Sequence, residues 1–360
     1  MATLPSSAFW RNKRVLLTGH TGFKGGWLAH WLDCLGAEVT GIALPPEDAP
    51  NLFSLSGVAE VCDSRICDLL QPARLAEVLA DQTPDIVFHL AAQPLVRRSL
   101  LEPAQTFATN VQGTVNLLEW LVNHATPKAV LVVTSDKVYR NDGSNRSFRE
   151  DDPLGGTDPY SGSKAAAEIA VRSFAESYFR PRGVAVATAR GGNVIGGGDF
   201  SQDRIVPDCV RAAASGTALT LRHPEATRPW QHVLDCLAGY LLYAEALCGP
   251  APCPPALNFG PDPTEPVTVG TLANAMLAAL DTPVDRQHVP DAGSREAQTL
   301  ALDPGLAKQR LGWRNRLTGR ALVAATADWY RRWQAGEDMG AVTRAEIQSY
   351  EALIPEAVHA

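Results

Sequence analysis

Through the first half of the chain, short apolar and β-branched runs alternate with stretches in which apolar residues return every three or four positions. Arg14–Thr18, Glu38–Ala43, Val61–Ile66, Asp85–Leu90, Ala129–Val133 and Val184–Ala189 have the length and composition of strands. Gly26–Leu35, Ala73–Leu79, Ala104–Asn123 and Tyr160–Phe179 carry the helical period between them. Strand and helix in strict alternation predict an α/β fold, a Rossmann-type doubly wound parallel sheet covered by helices on both faces.

After Arg190 the rhythm changes. Glycine and proline crowd Gly191–Asp199, Pro224–Pro229 and Gly249–Pro266, and helical patterns at Asp203–Ala214, Gly270–Leu280 and Leu317–Trp333 are separated by short extended pieces. This predicts residues 1–190 as a dinucleotide-binding domain and 191–360 as a smaller mixed α/β substrate lobe, with Ala256–Gly260 as a late strand able to rejoin the main sheet. A length of 360 residues fits that division at roughly 150 residues per domain. The charged stretch Arg331–Arg344 reads as a solvated helix face and loop.

Composition narrows the class of function. With 45% hydrophobic and 20% charged residues the chain is ordinary globular material, and its net charge of −7 gives no general electrostatic reason to bind nucleic acid or an anionic membrane. An anionic ligand must therefore meet a local cluster of cations. The 7 cysteines are scattered without a C-x-x-C pair, which suits free thiols in a reducing compartment, and the amino-terminal segment has no leader pattern. A cytoplasmic protein without a membrane span is the expectation, and no metal-ligand spacing is present.

The first strand runs directly into Gly19-His20-Thr21-Gly22-Phe23-Lys24-Gly25. A turn from strand to helix needs glycine for the bend and again where backbone approaches a pyrophosphate, while the helix start offers free N–H groups and a favourable dipole. Gly19, Gly22, Phe23 and Gly25 are thus the candidate dinucleotide cradle. The second strand ends in Ala43-Leu44-Pro45-Pro46, with Glu47 and Asp48 only later, so this position does not decide between NAD and NADP. Asp68, followed by Leu69, could meet an adenine amine or cap a helix. Ala91, Ala92 and Gln93 follow the fourth strand, at the carboxyl end where ligands of such sheets bind.

The chemistry gathers around two segments. Ser135-Asp136-Lys137 follows the fifth strand, and Asp158-Pro159-Tyr160 leads to Lys164 four residues on. Asp158 suits an N-cap and Pro159 the first helical position, so Tyr160 and Lys164 share a helix face about 6 Å apart along the axis. The helix dipole, Lys164 and an oxidised nicotinamide all favour the phenolate, which makes Tyr160 a candidate general base. Asp136 and Lys137 read either as a second acid/base pair or as a solvated lysine ending a strand beside an aspartate capping a turn. An epimerase has no need of such a pair; a dehydratase must take an acidified proton while protonating a leaving hydroxyl. For Lys137 to be that base it must be neutral, which burial and neighbouring positive charge promote.

Taken together, the glycine turn, the serine and the Y-x-x-x-K pair resemble the extended short-chain dehydrogenase/reductase superfamily. GHTGFKGGWLAHWL, AAQPLVRRS, TSDKVY, DPYSGSKAAAE, RGGNVIGGGDFSQDRIVPD and RPWQHVLD further resemble its CDP-glucose 4,6-dehydratase family, over about Lys13 to Trp333. That resemblance implies NAD as cofactor and a nucleotide-sugar substrate. It assigns Tyr160 to the 4-hydroxyl proton, with Ser135 bonded to that oxygen and Lys164 to the nicotinamide ribose. Asp136 becomes the acid toward the 6-hydroxyl and Lys137 the base toward H5. Asn193, Arg204 and Arg228 are implied for the diphosphate, with Gln93 and Arg97 toward the pocket, and a homodimer is implied by analogy. The rival readings are a C4 epimerase or ketoreductase on the same fold, a dehydratase of another nucleotide sugar, and a redox-sensing NAD-binding protein. The polar segment Arg140–Phe148 and Gly293–Gln298 depart from the family pattern.

Overall fold

A computed structural model describes residues 3–46, 49–141, 143–144, 146–262, 267–289 and 301–353. Seven strands form one parallel sheet: β1 (Arg14–Thr18), β2 (Glu38–Ala43), β3 (Asp63–Ile66), β4 (Ile86–His89), β5 (Ala129–Val133), β6 (Ala185–Gly191) and β7 (Ala256–Phe259). Their order is β7-β6-β5-β4-β1-β2-β3, so the chain reverses direction between β1 and β4 and opens a crevice at the carboxyl ends of the strands. The expected late strand is β7, paired with β6 from Ala256 opposite Thr188 to Phe259 opposite Gly191.

The centre of the sheet is buried on both faces, which is why β4 and β5 are buried at every position without alternation. On one face lie α1 (Phe23–Cys34), which follows the glycine turn, and, further along the chain, α8 (Val233–Leu247). On the other lie α2 (Pro72–Val78), α3 (Val96–Leu101), α4 (Pro103–Phe107), α5 (Gly113–His124) and α6 (Pro159–Phe174). The second half adds α7 (Ile205–Ser215), α8 (Val233–Leu247), α9 (Val269–Ala279), α10 (Gly305–Leu311), α11 (Gly319–Gln334) and α12 (Met339–Ala352), with three two-stranded ribbons.

One apolar core runs through both halves, from Val15, Trp27 and Phe88 to Leu237, Met276, Trp329 and Ile347. α8 packs on α1, β5 and β6, and α12 packs on α1, so residues beyond 190 roof one face of the dinucleotide layer.

Several boundaries differ from the sequence reading. Val61 and Cys62 are outside β3, because Val58–Glu60 forms a 3₁₀ turn before it. The continuous helix expected over Ala104–Asn123 is two helices joined by a π turn at Ala108–Gln112, and Tyr160–Phe179 likewise ends in a π turn at Ala175–Phe179. The charged stretch Arg331–Arg344 is solvated only in its first part. Asp338 caps α12 by accepting from the Gly340 and Ala341 N–H groups, and Met339, Val342 and Thr343 are buried.

Candidate active site

The glycine turn is built for close approach. Gly19 has φ +81°, and a side chain there would meet the Ala91 backbone nitrogen at 2.8 Å; a Cβ on Gly25 would lie 2.0 Å from the Gly19 oxygen. Gly22 is the N-cap of α1 with no side chain bonded to the helix start, and no acid stands in the first turn. Free N–H groups at a helix start without a neighbouring carboxylate fit a pyrophosphate, so the residues present suit a dinucleotide. Ala91 N–H is held by Thr18 Oγ1 at 3.1 Å, fixing the β4 exit beside the turn.

Asp68 accepts from its own loop, Leu70 N–H, at 2.9 Å, whereas the N-cap of α2 is Gln71. The helix-cap reading of Asp68 is therefore replaced by a turn brace. Leu69 is buried, and its carbonyl accepts from Asn116 at 2.7 Å.

Beyond β5 the catalytic candidates converge. Ser135 caps the 3₁₀ turn Asp136–Val138, its hydroxyl accepting from Lys137 N–H at 3.2 Å and donating to Asp136 Oδ1 at 3.0 Å. Asp136 is 1% exposed, and Lys137 Nζ stands 3.7 Å from its Oδ1 with its side chain 24% exposed. The other carboxylate oxygen, Oδ2, is buried with no hydrogen-bond partner among the described residues. The acid is wedged against Gly192, where a Cβ would lie 2.1 Å from Oδ2.

α6 supplies the partner pair as the local sequence dictates. Asp158 accepts from Ser161 N–H at 3.0 Å, Pro159 occupies the first turn, and Tyr160 N–H is held by Ser99 Oγ at 3.1 Å. Tyr160 and Lys164 are both buried. Lys164 Nζ donates to Val133 O at 3.2 Å, which ties α6 to the end of β5. Burial, followed by the neighbouring Lys24 charge, pushes the Lys164 amine down to about 7.

The Tyr160 phenol moves opposite to the expectation. Burial raises it, with the Asp136 charge adding to the rise, against a hydrogen bond with Ser135 and the charges of Lys137 and Arg204. Lowering the phenol then depends on the positive charge that an oxidised nicotinamide supplies when bound.

A buried network stands behind these groups. Glu168, one turn after Lys164, pairs with Arg190 at 2.8 Å and accepts from Thr134 at 2.6 Å and Thr188 at 2.8 Å. Arg190 also donates to Tyr139 Oη at 2.8 Å, so β5, β6 and α6 are locked together just below Ser135. Phe148 is buried and stacks on Tyr139 at 5.0 Å, so the polar segment leading to it ends in the core.

The substrate-side candidates separate. Arg204 pairs with the buried Asp199 at 2.9 Å and is close enough to Tyr160 to act on it by charge. Arg97 reaches Asp203 at 3.4 Å, and Arg222, which sequence reasoning missed, reaches the same carboxylate at 2.5 Å. Asn193 has φ +44° and a buried Oδ1 without a partner among the described residues. Arg228 donates to Thr227 O at 2.8 Å. Gln93 is a brace: its amide donates to Leu95 O and Thr106 Oγ1 and accepts from Leu95 N–H, so this structure does not present it as a free ligand group. Gly293–Gln298 lies outside the described residues.

Lys24 was also missed. It stands in the first turn of α1 with Nζ 5.8 Å from the centroid of the Tyr240 ring, and the only signal in the sequence is a charged residue inside a glycine turn.

The family model described as the NAD dependent epimerase/dehydratase family matches residues 15–251. The chain belongs to that family. Its cofactor is accordingly NAD, the point the end of β2 left open. The chain is 40% identical to a CDP-glucose 4,6-dehydratase of Salmonella typhimurium over 348 residues, covering 95% of this chain and 97% of that protein. It is 30% identical to a dTDP-glucose 4,6-dehydratase of Xanthomonas campestris pv. campestris, covering 88% and 92%. Among solved structures, UDP-glucose 4-epimerase from Brucella ovis in complex with NAD is similar in fold, with a TM-score of 0.76 at 22% identity, covering 88% of this chain and 98% of that one.

Proposed function

We propose that the protein is an NAD-dependent hydro-lyase that converts CDP-D-glucose to CDP-4-dehydro-6-deoxy-D-glucose. The observation that carries the reading is the pair at the end of β5: a buried carboxyl and a half-buried amine side by side, next to Ser135 and within charge range of Tyr160. Epimerisation or reduction at C4 alone gives such a pair no work. The 40% identity to a CDP-glucose 4,6-dehydratase supports the same substrate, the match covering 95% of this chain and 97% of that relative.

Bound NAD+ would supply the acceptor for the C4 hydride and, once reduced, the donor that returns it to C6. Around that transfer, Tyr160 removes the 4-hydroxyl proton and Ser135 bonds the same oxygen. Lys164, tethered to Val133 O, is set to hold the nicotinamide ribose. Lys137 takes H5, made acidic by the C4 ketone, and Asp136 gives its proton to the hydroxyl leaving C6; as hydride reaches C6, Lys137 returns a solvent-exchanged proton to C5, and the proton Tyr160 took from the 4-hydroxyl leaves to solvent as Asp136 regains one. Arg204 and Asn193 face the diphosphate, with Arg97 and Arg222 held on Asp203, the residue before Arg204, and Arg228 a further candidate in the same lobe. Residues 1–190 carry the cofactor and 191–360 the nucleotide sugar.

A homodimer is the assembly we infer. Leu100, Leu101, Phe107, Ile169 and Tyr178 are large apolar side chains left exposed on α3, α4, α6 and the π turn after α6, with Ile169 63% and Leu101 84% exposed. The cysteines, all free, support a cytoplasmic location; among the described residues no helix is long and apolar enough to cross a membrane.

Incubation with NAD+ and CDP-glucose in deuterium oxide tests the reaction. A 4-keto product bearing deuterium at C5 and a C6 methyl group is expected. A C4 epimer without solvent label would overturn the proposal, as would turnover of dTDP-, GDP- or UDP-glucose in preference to CDP-glucose.

A further inference from the structure

His89 closes β4 directly opposite Thr18 of β1, in a strand that is buried at every position. Its Nδ1 lies 2.7 Å from Thr18 Oγ1 and its Nε2 2.9 Å from Thr114 Oγ1 of α5. Burial, followed by the Lys164 charge, pushes the imidazole down to about 3, so the ring is neutral and carries one proton. The neighbours decide which nitrogen holds it. A threonine hydroxyl has one proton to give. Thr114 gives its own to Asn110 O at 2.7 Å, so toward Nε2 it can only accept. Thr18 Oγ1 accepts from Leu90 N–H at 3.2 Å and Ala91 N–H at 3.1 Å, which fills its two lone pairs, so its proton goes to Nδ1. The imidazole is therefore protonated on Nε2. The other tautomer would set an N–H against a filled oxygen at Thr18 and leave a lone pair without a donor at Thr114.

With the ring fixed, every bond has a direction, and together they run from the cofactor turn to the catalytic helix. At one end Ala91 abuts the glycine turn, its nitrogen 2.8 Å from where a Cβ on Gly19 would stand. At the other, the Asn110 amide donates to Ser163 Oγ at 2.9 Å, and Ser163 donates to the Tyr160 carbonyl at 2.7 Å. Asn110 cannot turn its amide over, because the same side chain accepts from Gln93 N–H at 2.8 Å and donates to Gln93 O at 3.1 Å. Thr18, His89, Asn110, Thr114 and Ser163 are each at most 2% exposed, so water does not compete for the links.

We propose that His89 is a positioning residue which, through this chain of bonds, holds the dinucleotide cradle and the Tyr160 end of α6 at one fixed spacing, so that a dinucleotide seated in the cradle meets Tyr160 in register. The role rests on the reading of Tyr160 as the base. No proton travels along the chain, since each hydroxyl and imidazole proton is committed to its acceptor. Its effect is on distance alone. A misplacement of about 1 Å between reacting groups costs on the order of 100-fold in rate, whereas the turn's own N–H groups still hold the pyrophosphate. Loss of the spacing therefore belongs in kcat rather than in affinity for NAD+.

Two measurements test the proposal. In the protein without NAD+, prepared with isotope-labelled histidine, the nitrogen chemical shifts report the proton of His89, assigned by its absence from His89→Gln. A proton on Nε2 alone is expected; one on Nδ1, or on both nitrogens, overturns the proposal. The second measurement cuts the chain of bonds near its two ends. Thr18→Val and Ser163→Ala are each to lower kcat on CDP-glucose by roughly 10-fold, with Kd for NAD+ in calorimetry kept within about threefold. The double variant is to lose no more than about 20-fold, because a chain already cut has nothing further to transmit. Losses that multiply to about 100-fold overturn the proposal, as do full activity in either single variant and a loss confined to NAD+ affinity. If a single variant does not accumulate as folded protein, the comparison moves to His89. There His89→Gln, whose amide offers one acceptor and one donor, must keep kcat within about fivefold where His89→Leu loses at least about 30-fold, and equal losses overturn the proposal. Failure of the unsubstituted protein to dehydrate CDP-glucose, or undiminished turnover by Tyr160→Phe, would remove the parent reading, whereas the other failures remove this one alone.

Discussion

Tyr160 and Lys164 occupy one buried face of α6 but sit under different influences. Replacing Tyr160 by Phe removes the hydroxyl that Ser135 meets and leaves the packing of the ring, so turnover is expected to fall by at least about 10³-fold while NAD+ binding, followed by quenching of tryptophan fluorescence, stays near that of the parent. Lys164 carries a stability signature. Its folded value of about 7 is below the ordinary lysine value, so between about pH 7 and 10 the unfolded chain holds the extra proton and stability rises with pH. Lys164→Met removes that contribution. The variant's Tm, measured by calorimetry without ligand, is expected to climb less steeply with pH over that window than the parent's. The cap that presents these residues was legible in Asp158-Pro159 because capping is local chemistry. Lys24 and Arg222 were not, since a side chain's direction out of a turn or ribbon depends on packing made by distant parts of the chain.

The elements show the same division between local and distant causes. Strand positions were readable because a sheet buried on both faces leaves continuous apolar runs, and β7 was readable for that reason. The π turn between α4 and α5 was not, because one extra residue per turn hardly alters an apolar period. Its effect is to bring Asn110 inward, where it accepts from Gln93 N–H at 2.8 Å, donates to Gln93 O at 3.1 Å and donates to Ser163 Oγ at 2.9 Å, joining the β4 exit to α6. The ion pair of Glu168 with Arg190 joins β6 to the same helix. Glu168→Ala leaves a buried guanidinium without its carboxylate, for which a destabilisation of about 3–5 kcal/mol in urea unfolding is expected. Loss of kcat should accompany it even where the protein remains folded, because Thr134 precedes Ser135 and loses its bond to Glu168 at the same time.

At the scale of the whole molecule, the exposed apolar side chains and the shared core make different demands. Ile169→Glu places a charge in the exposed patch and is expected to convert a dimer to a monomer in light scattering at micromolar concentration, with the monomer still folded by circular dichroism. The core reaches much further along the chain. Trp31 in α1 donates to Glu351 at 2.7 Å, and Tyr350 donates to Asp235 in α8 at 2.8 Å, so the helix that opens at the glycine turn is roofed by some of the last residues of the fold. A polypeptide emerging from the ribosome would thus have the whole nucleotide-gripping motif in hand some three hundred residues before it could use it. Saturation by the dinucleotide should therefore report that α12 has docked, and a severed front half should be a sticky fragment rather than a small cofactor-binding module.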